Sequence, residues 1–307
     1  MKIKKEYLLL ALLIVSSIGY LVFQKTDRLH YTLPVLSPVK AEEITSIEVT
    51  HAGKTTVLTK KGSDWIISPQ NWRADGTKVS EMLDTISNLA VTDLVSESGD
   101  YERYQLDEKD RAVLKVFAGK NLLRELIVGK AAPTFNHTYV MLPGEKGVYL
   151  AGGDLPRLFL VPQSELRDMV VFTVTPTDIT RIEIERKGKR SVLVKTESTE
   201  GKADDKTKLF VWKKDNGAAI DKAEVDTFLA GLSKVYCGEY LDDAAKGQMT
   251  SPDITIIMKG AGENRLSIFP KQGDKLPALS SQSDSPFLLP DYKYEEIEKF
   301  LNKALEN

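Results

Sequence analysis

The residues in this chain that could do chemistry are few and scattered. One cysteine, Cys237, three histidines, His30, His51 and His137, and two acidic pairs, Asp204-Asp205 and Asp242-Asp243, are the candidates. A single thiol excludes an internal disulfide and any multi-cysteine metal site. No two histidines stand at helical spacing, so the zinc pattern H-E-x-x-H is missing and no metal ligand is assigned. A nucleophilic Cys237 would need a base beside it and a depressed pKa. Its apolar context, Val235-Tyr236, points instead to a buried filler. Retaining glycosidases need two carboxylates about 5–5.5 Å apart. Adjacent strand residues face opposite ways, which disfavours Asp242-Asp243, and Asp204-Asp205 falls in the charged segment Glu197–Lys208. There is no G-x-S-x-G elbow. Asp75-Gly76-Thr77 superficially matches a calcium loop but lacks the further acidic ligands. A helix cap is the expected role of Asp75. Trp72, in the polar turn Gln70-Asn71-Trp72-Arg73, is the one aromatic placed to stack on a ligand. Its other reading is a lid over the helix that follows. The expectation is therefore no catalytic residue, no cofactor and no metal, with Trp72 as the candidate binding residue.

What must position these residues is a duplicated chain. Ile44–Leu58 (ITSIEVTHAGKTTVL) returns as Ile179–Leu193 (ITRIEIERKGKRSVL), and a repeat of this kind governs the architecture. Alternating β-branched runs around Gly53 and Gly188 read as hairpins. Asp64-Trp65-Ile66-Ile67 gives a third strand, echoed by Leu209-Phe210-Val211-Trp212. Trp65 and Trp212 read as core anchors. Val79, Met82, Leu83 and Ile86 form one helical stripe, as do Val225, Phe228, Leu229 and Leu232. Asp75 and Asp221 open these helices as caps, and Glu224 completes a capping box. Short strands follow in each copy, and Tyr292–Leu305 closes the chain as a helix.

The amino terminus adds a different signal. Lys2, Lys4 and Lys5 precede the apolar run Tyr7–Phe23, which as a helix would reach about 25 Å. The reading is a retained membrane helix over 7–23, a cytoplasmic tail over 1–6 and a tether over 24–43 stiffened by Pro34 and Pro38. Two α+β repeats follow, over 44–173 and 174–307, each an antiparallel sheet with an amphipathic helix across one face. Val170–Pro176 is expected to join them. The length of 307 residues suits about two domains, and a net charge of -2 gives no basic field for nucleic acid.

Trp65, Ala74-Asp75, Tyr104-Gln105-Leu106, Ile127-Val128-Gly129 and Tyr139-Val140 together match a known pattern. The chain resembles the bacterial family termed domain of unknown function 4340. It departs from that pattern at Gln105, where the family shows glycine, and in the second copy, where the Tyr-Val strand is not recognisable. The resemblance implies a single-span protein of the inner membrane with its bulk in the periplasm, associated with ABC transporters of the gliding-motility type. It brings no catalytic residues. The functional expectation is a non-catalytic accessory or scaffold subunit whose partners are the inner membrane and transporter subunits. The alternative is a periplasmic glycan- or peptidoglycan-binding module, with a hydrolase behind it.

Overall fold

The computed structural model describes residues 12–20, 31–134, 136–197 and 210–306. It is mostly sheet with few helices. This corrects the expected α+β class led by a membrane helix. Within the apolar run, residues 12–20 are helical. No helix among the described residues is long and apolar enough to cross a membrane. The spanning helix read over 7–23 is therefore corrected to a described helical stretch over 12–20. The proposed tail 1–6, the rest of the run, His30 and Asp204-Asp205 lie outside the described residues.

The structure divides between Arg167 and Asp168. The first unit holds β1 (Ser46–His51), β2 (Lys54–Lys61), β3 (Asp64–Ser68), β4 (Trp72–Arg73), β5 (Val91–Ser96), β6 (Ala112–Ala118), β7 (Asn121–Ala131), β8 (His137–Met141) and β9 (Val148–Gly152). They form one antiparallel sheet in the order β4-β3-β2-β1-β6-β7-β8-β9-β5. Alternation sets its faces: Ile47, Val49, Leu58, Ile67, Leu114 and Leu126 are buried on the inner face, while residues between them turn outward. The helix Gly76–Ser87 lays Val79, Met82 and Ile86 into that core. Asp75 caps it as expected, accepting from the amide of Thr77 at 2.8 Å and that of Lys78 at 3.3 Å.

The second unit holds β10 (Val170–Thr173), β11 (Arg181–Arg186), β12 (Lys189–Glu197), β13 (Phe210–Lys214), β14 (Ala219–Ile220), β15 (Lys234–Tyr236), β16 (Glu239–Tyr240), β17 (Ile254–Lys259), β18 (Glu263–Ile268), β19 (Pro277–Ser280) and β20 (Phe287–Leu288). Its large sheet runs β14-β13-β12-β11-β17-β18-β19-β20-β16, the same path as in the first unit. The helix Lys222–Leu232 buries Val225, Phe228, Leu229 and Leu232, and the helix Asp291–Leu305 closes the unit. Asp221 caps the former through the amide of Ala223 at 2.9 Å. The capping-box bond expected of Glu224 is replaced: its carboxylate pairs with Lys303. Val170–Thr173, expected as a connector, is β10, paired with β15.

Register makes the duplication strict. Ile47 faces Leu58 and Val116, and Ile182 faces Leu193 and Met258. Trp65 lies opposite Lys60, and Trp212 opposite Lys195. Both tryptophans are buried, at 7% and 1% exposure. Each opening hairpin turns through two residues of positive φ, Ala52-Gly53 and Lys187-Gly188, the backbone that matches strand twist. The strand missing from the second copy by sequence is present as β19, in the place of β8.

Candidate functional site

The sequence candidates do not converge. Trp72 is half-buried at the end of β4, opposite Ile67, and packs on the first core. The guanidinium carbon of Arg167 stands 4.5 Å over its ring centroid, a cation–π contact that occupies one ring face. Asp242 caps the short turn Asp243–Gln248 through the amide of Ala244 at 2.8 Å. His51 Nδ1 lies 3.4 Å from the carbonyl of Arg111, and His137 Nδ1 lies 3.2 Å from Thr134 Oγ1. Cys237 is buried in the second core. Among the described residues no group of three His, Cys, Asp or Glu side chains is placed to hold a metal.

The pattern residues that carried the resemblance do come together, on the outer face of the first sheet. Leu106, Met141 and Val148 form a small second core there, with Tyr101, Tyr104, Ile127 and Tyr139 packed around it. The rings of Tyr104 and Tyr139 are 4.7 Å apart. Gly129 is required: a Cβ there would fall 2.3 Å from the carbonyl oxygen of Tyr104. Gln105 sits at φ 55, in the left-handed region, which explains why a glycine suits that position. The segment Tyr101–Leu106 is thus a strap held onto the sheet. In the second unit, register places Phe269 where Gly129 stands, and Thr255 and Ser267 where Val113 and Ile127 stand. A strap of the first kind has no seat there.

The open part of the second sheet's outer face carries the strongest charge cluster. Glu183, on β11, takes Arg181 Nε at 2.8 Å, Lys259 Nζ at 3.1 Å and Arg190 Nη2 at 2.8 Å. Hydrogen bonds from Arg181, Lys259 and Arg190 lower its pKa to about 2. Elsewhere, Tyr149 hydrogen-bonds Glu145 at 2.6 Å, which pushes the phenol up to about 12. Between the helices Lys222–Leu232 and Asp291–Leu305 lies a groove of about 520 Å³. Phe228 stacks on Phe300 in it, with ring centroids 3.9 Å apart, and Lys293 Nζ donates to the carbonyl of Gly231 at 2.8 Å.

Two features escaped the sequence reading, and both concern how each unit holds the chain entering it. In the first unit, Arg124 is buried on the inner face, opposite Val116. Its guanidinium donates to the carbonyl of Ile86, in the last turn of a helix, and to that of Ser37 at 2.6 Å. Burial lowers its pKa, while carbonyls at a helix C-terminus favour the cation. In the second unit the residue at this register, opposite Met258, is Asn264. Its Oδ1 accepts from Gln282 Nε2 at 2.7 Å, and Gln282 in turn bonds the backbone amide and carbonyl of Thr173 at 2.8 and 2.7 Å.

Comparison with known families gives one match. The family model described as "Domain of unknown function (DUF4340)" matches residues 65–252, from the Trp65 strand across the division at Arg167. The chain belongs to this family. No curated protein and no solved structure matches it.

Proposed function

We propose that the protein is a non-catalytic accessory subunit that works by binding another protein. The observation that carries this is the ion cluster on the outer face of the second sheet, where Glu183 holds Arg181, Lys259 and Arg190 within 3.1 Å. General acid or base work at neutral pH needs a carboxyl group whose pKa is moved toward 7. Glu183 is moved the other way, to about 2, by three cations. It serves as an electrostatic staple on an exposed sheet face, and such a face with mixed charge suits a protein surface. The perturbed groups elsewhere are likewise engaged in holding local structure: Tyr149 by Glu145 and Arg124 by backbone carbonyls. ABC-transporter subunits as the partner class, and a position outside the cytoplasm, belong to the same proposal. They rest on family analogy, which is an associational warrant, and require no spanning helix.

Crosslinking in native membranes followed by mass spectrometry tests it. Wild-type protein should capture transporter subunits, and the double charge reversal Arg181→Glu, Lys259→Glu should reduce that capture. Recovery of the protein without transporter subunits and with glycan bound would replace this reading with the glycan-binding one.

A further inference from the structure

The groove between the helices Lys222–Leu232 and Asp291–Leu305, at about 520 Å³, has the size of a small-molecule site. The two helices run antiparallel. Glu224, near the start of one, pairs with Lys303, near the end of the other, and Lys293 reaches the carbonyl of Gly231 at the opposite end. These cross-links close the groove lengthwise. Along the first helix, Glu224 and Gly231 are about 10 Å apart at ~1.5 Å per residue. A partner helix laid along the groove would have to ride over both cross-links, so the space between them suits a compact molecule.

The floor sets one half of that molecule's chemistry. Phe228, Leu232, Ile297 and Phe300 line it and are buried. Phe228 comes from one helix and Phe300 from the other, and their rings stack at an interplanar angle of 11°. The stack runs across the helix pair, so each ring covers a face of the other and the edges turn to the groove. Ring edges carry the positive part of the aromatic quadrupole and pair well with the electron-rich face of another ring. The rim sets the other half. Glu224 is matched by Lys303 and Glu296 by Lys293. Lys299 also lines the groove, and it has no ion pair among the described residues, although Glu295 stands one turn before it. One cation is therefore to spare. We propose that this groove binds a small aromatic carboxylate, its ring over the Phe228–Phe300 pair and its carboxylate on the Lys299 amine. The site lies on the helices of the second unit, apart from the Glu183 cluster, and does not depend on the accessory-subunit reading.

The test uses the full chain and phenylpropionate, followed by saturation-transfer NMR. Saturable binding is expected, with the largest transfer to the ring protons. Phenylpropionamide, similar in shape but neutral, should bind about tenfold more weakly, the usual worth of a charged hydrogen bond. Cyclohexylpropionate keeps the charge but has no aromatic face, and should also bind more weakly than the aryl acid. Lys299→Glu, at an exposed side chain, should reduce binding of the acid to that of the amide or below while leaving Tm unchanged, and Lys299→Arg should retain it. Ala223→Trp, on the exposed wall of the groove, should block all three compounds. No saturable signal, equal binding of acid and amide, equal binding of the cyclohexyl and aryl acids, or wild-type affinity in Lys299→Glu would overturn the proposal.

Discussion

The two units solve one problem with different chemistry: how to fasten the chain that leads into a nine-stranded sheet. The second unit uses a strand ladder. β10 pairs with β15, just past the helix Lys222–Leu232, and Gln282 clips the end of β10 from the side. The first unit has Pro34 and Pro38 in the corresponding stretch, and proline cannot donate to a ladder. There a buried arginine replaces the ladder, tying Ser37 to the helix end. The unit whose entering stretch carries two prolines is also the unit with the buried arginine. The lesson is that topology was inherited by both copies, while the fastening was free to change.

The comparison can be broken by substitution. The largest effect is expected at the shared anchors. Trp212→Ala and Trp65→Ala should each cost about 3–5 kcal/mol, with Trp212 the greater because it is more deeply buried. Chemical denaturation of the two variants measures this, and a Trp65→Ala protein of full stability would remove Trp65 from the core. Arg124→Ala should come next, at about 2–3 kcal/mol, from two charge-assisted bonds to carbonyls that are left without them. Gln282→Ala should cost only about 1 kcal/mol, because the β10–β15 ladder remains. If the two fastenings were equivalent, these costs would be equal. Gln105→Gly should stabilise the first unit by about 0.5 kcal/mol, relief of a left-handed residue outweighing the added chain entropy.

The smallest effect lies in pH. The folded pKa of Glu183, about 2, is below its ordinary value of 4.5. A depressed carboxylate pKa gives stability that is present above the unfolded value and is lost as pH falls toward the folded one. Between about pH 4.5 and 2, wild type should therefore lose stability more steeply than Glu183→Gln. Parallel Tm-against-pH curves for the two proteins would show that the cluster is held apart from folding.

Much of this was legible in the sequence where local rules dominate. The hairpins, the tryptophan strands and the aspartate caps follow from alternation, glycine placement and first-turn geometry, and each emerged at its place. β19 was not legible because its four residues begin with Pro277 and carry no alternation; only its neighbours β18 and β20 define it. The strap over the first sheet was visible as a set of matching residues, but not as a contact, since Tyr104 and Gly129 meet through a close backbone approach. Arg124 did not stand out in the sequence, because its partners are carbonyls distant along the chain. Composition could not show that Trp72 lies beneath Arg167.

The exchange of a ladder for an arginine is tested most directly by hydrogen exchange on wild type and Arg124→Ala, read by mass spectrometry over two peptides. The peptide covering Leu36–Ile44 should lose protection in the variant, because its anchor to the carbonyl of Ile86 passes through that side chain. The peptide covering Val170–Thr173 should exchange as slowly as in wild type, held by its own ladder. Unchanged protection at Leu36–Ile44, or equal loss in both peptides, would contradict the account.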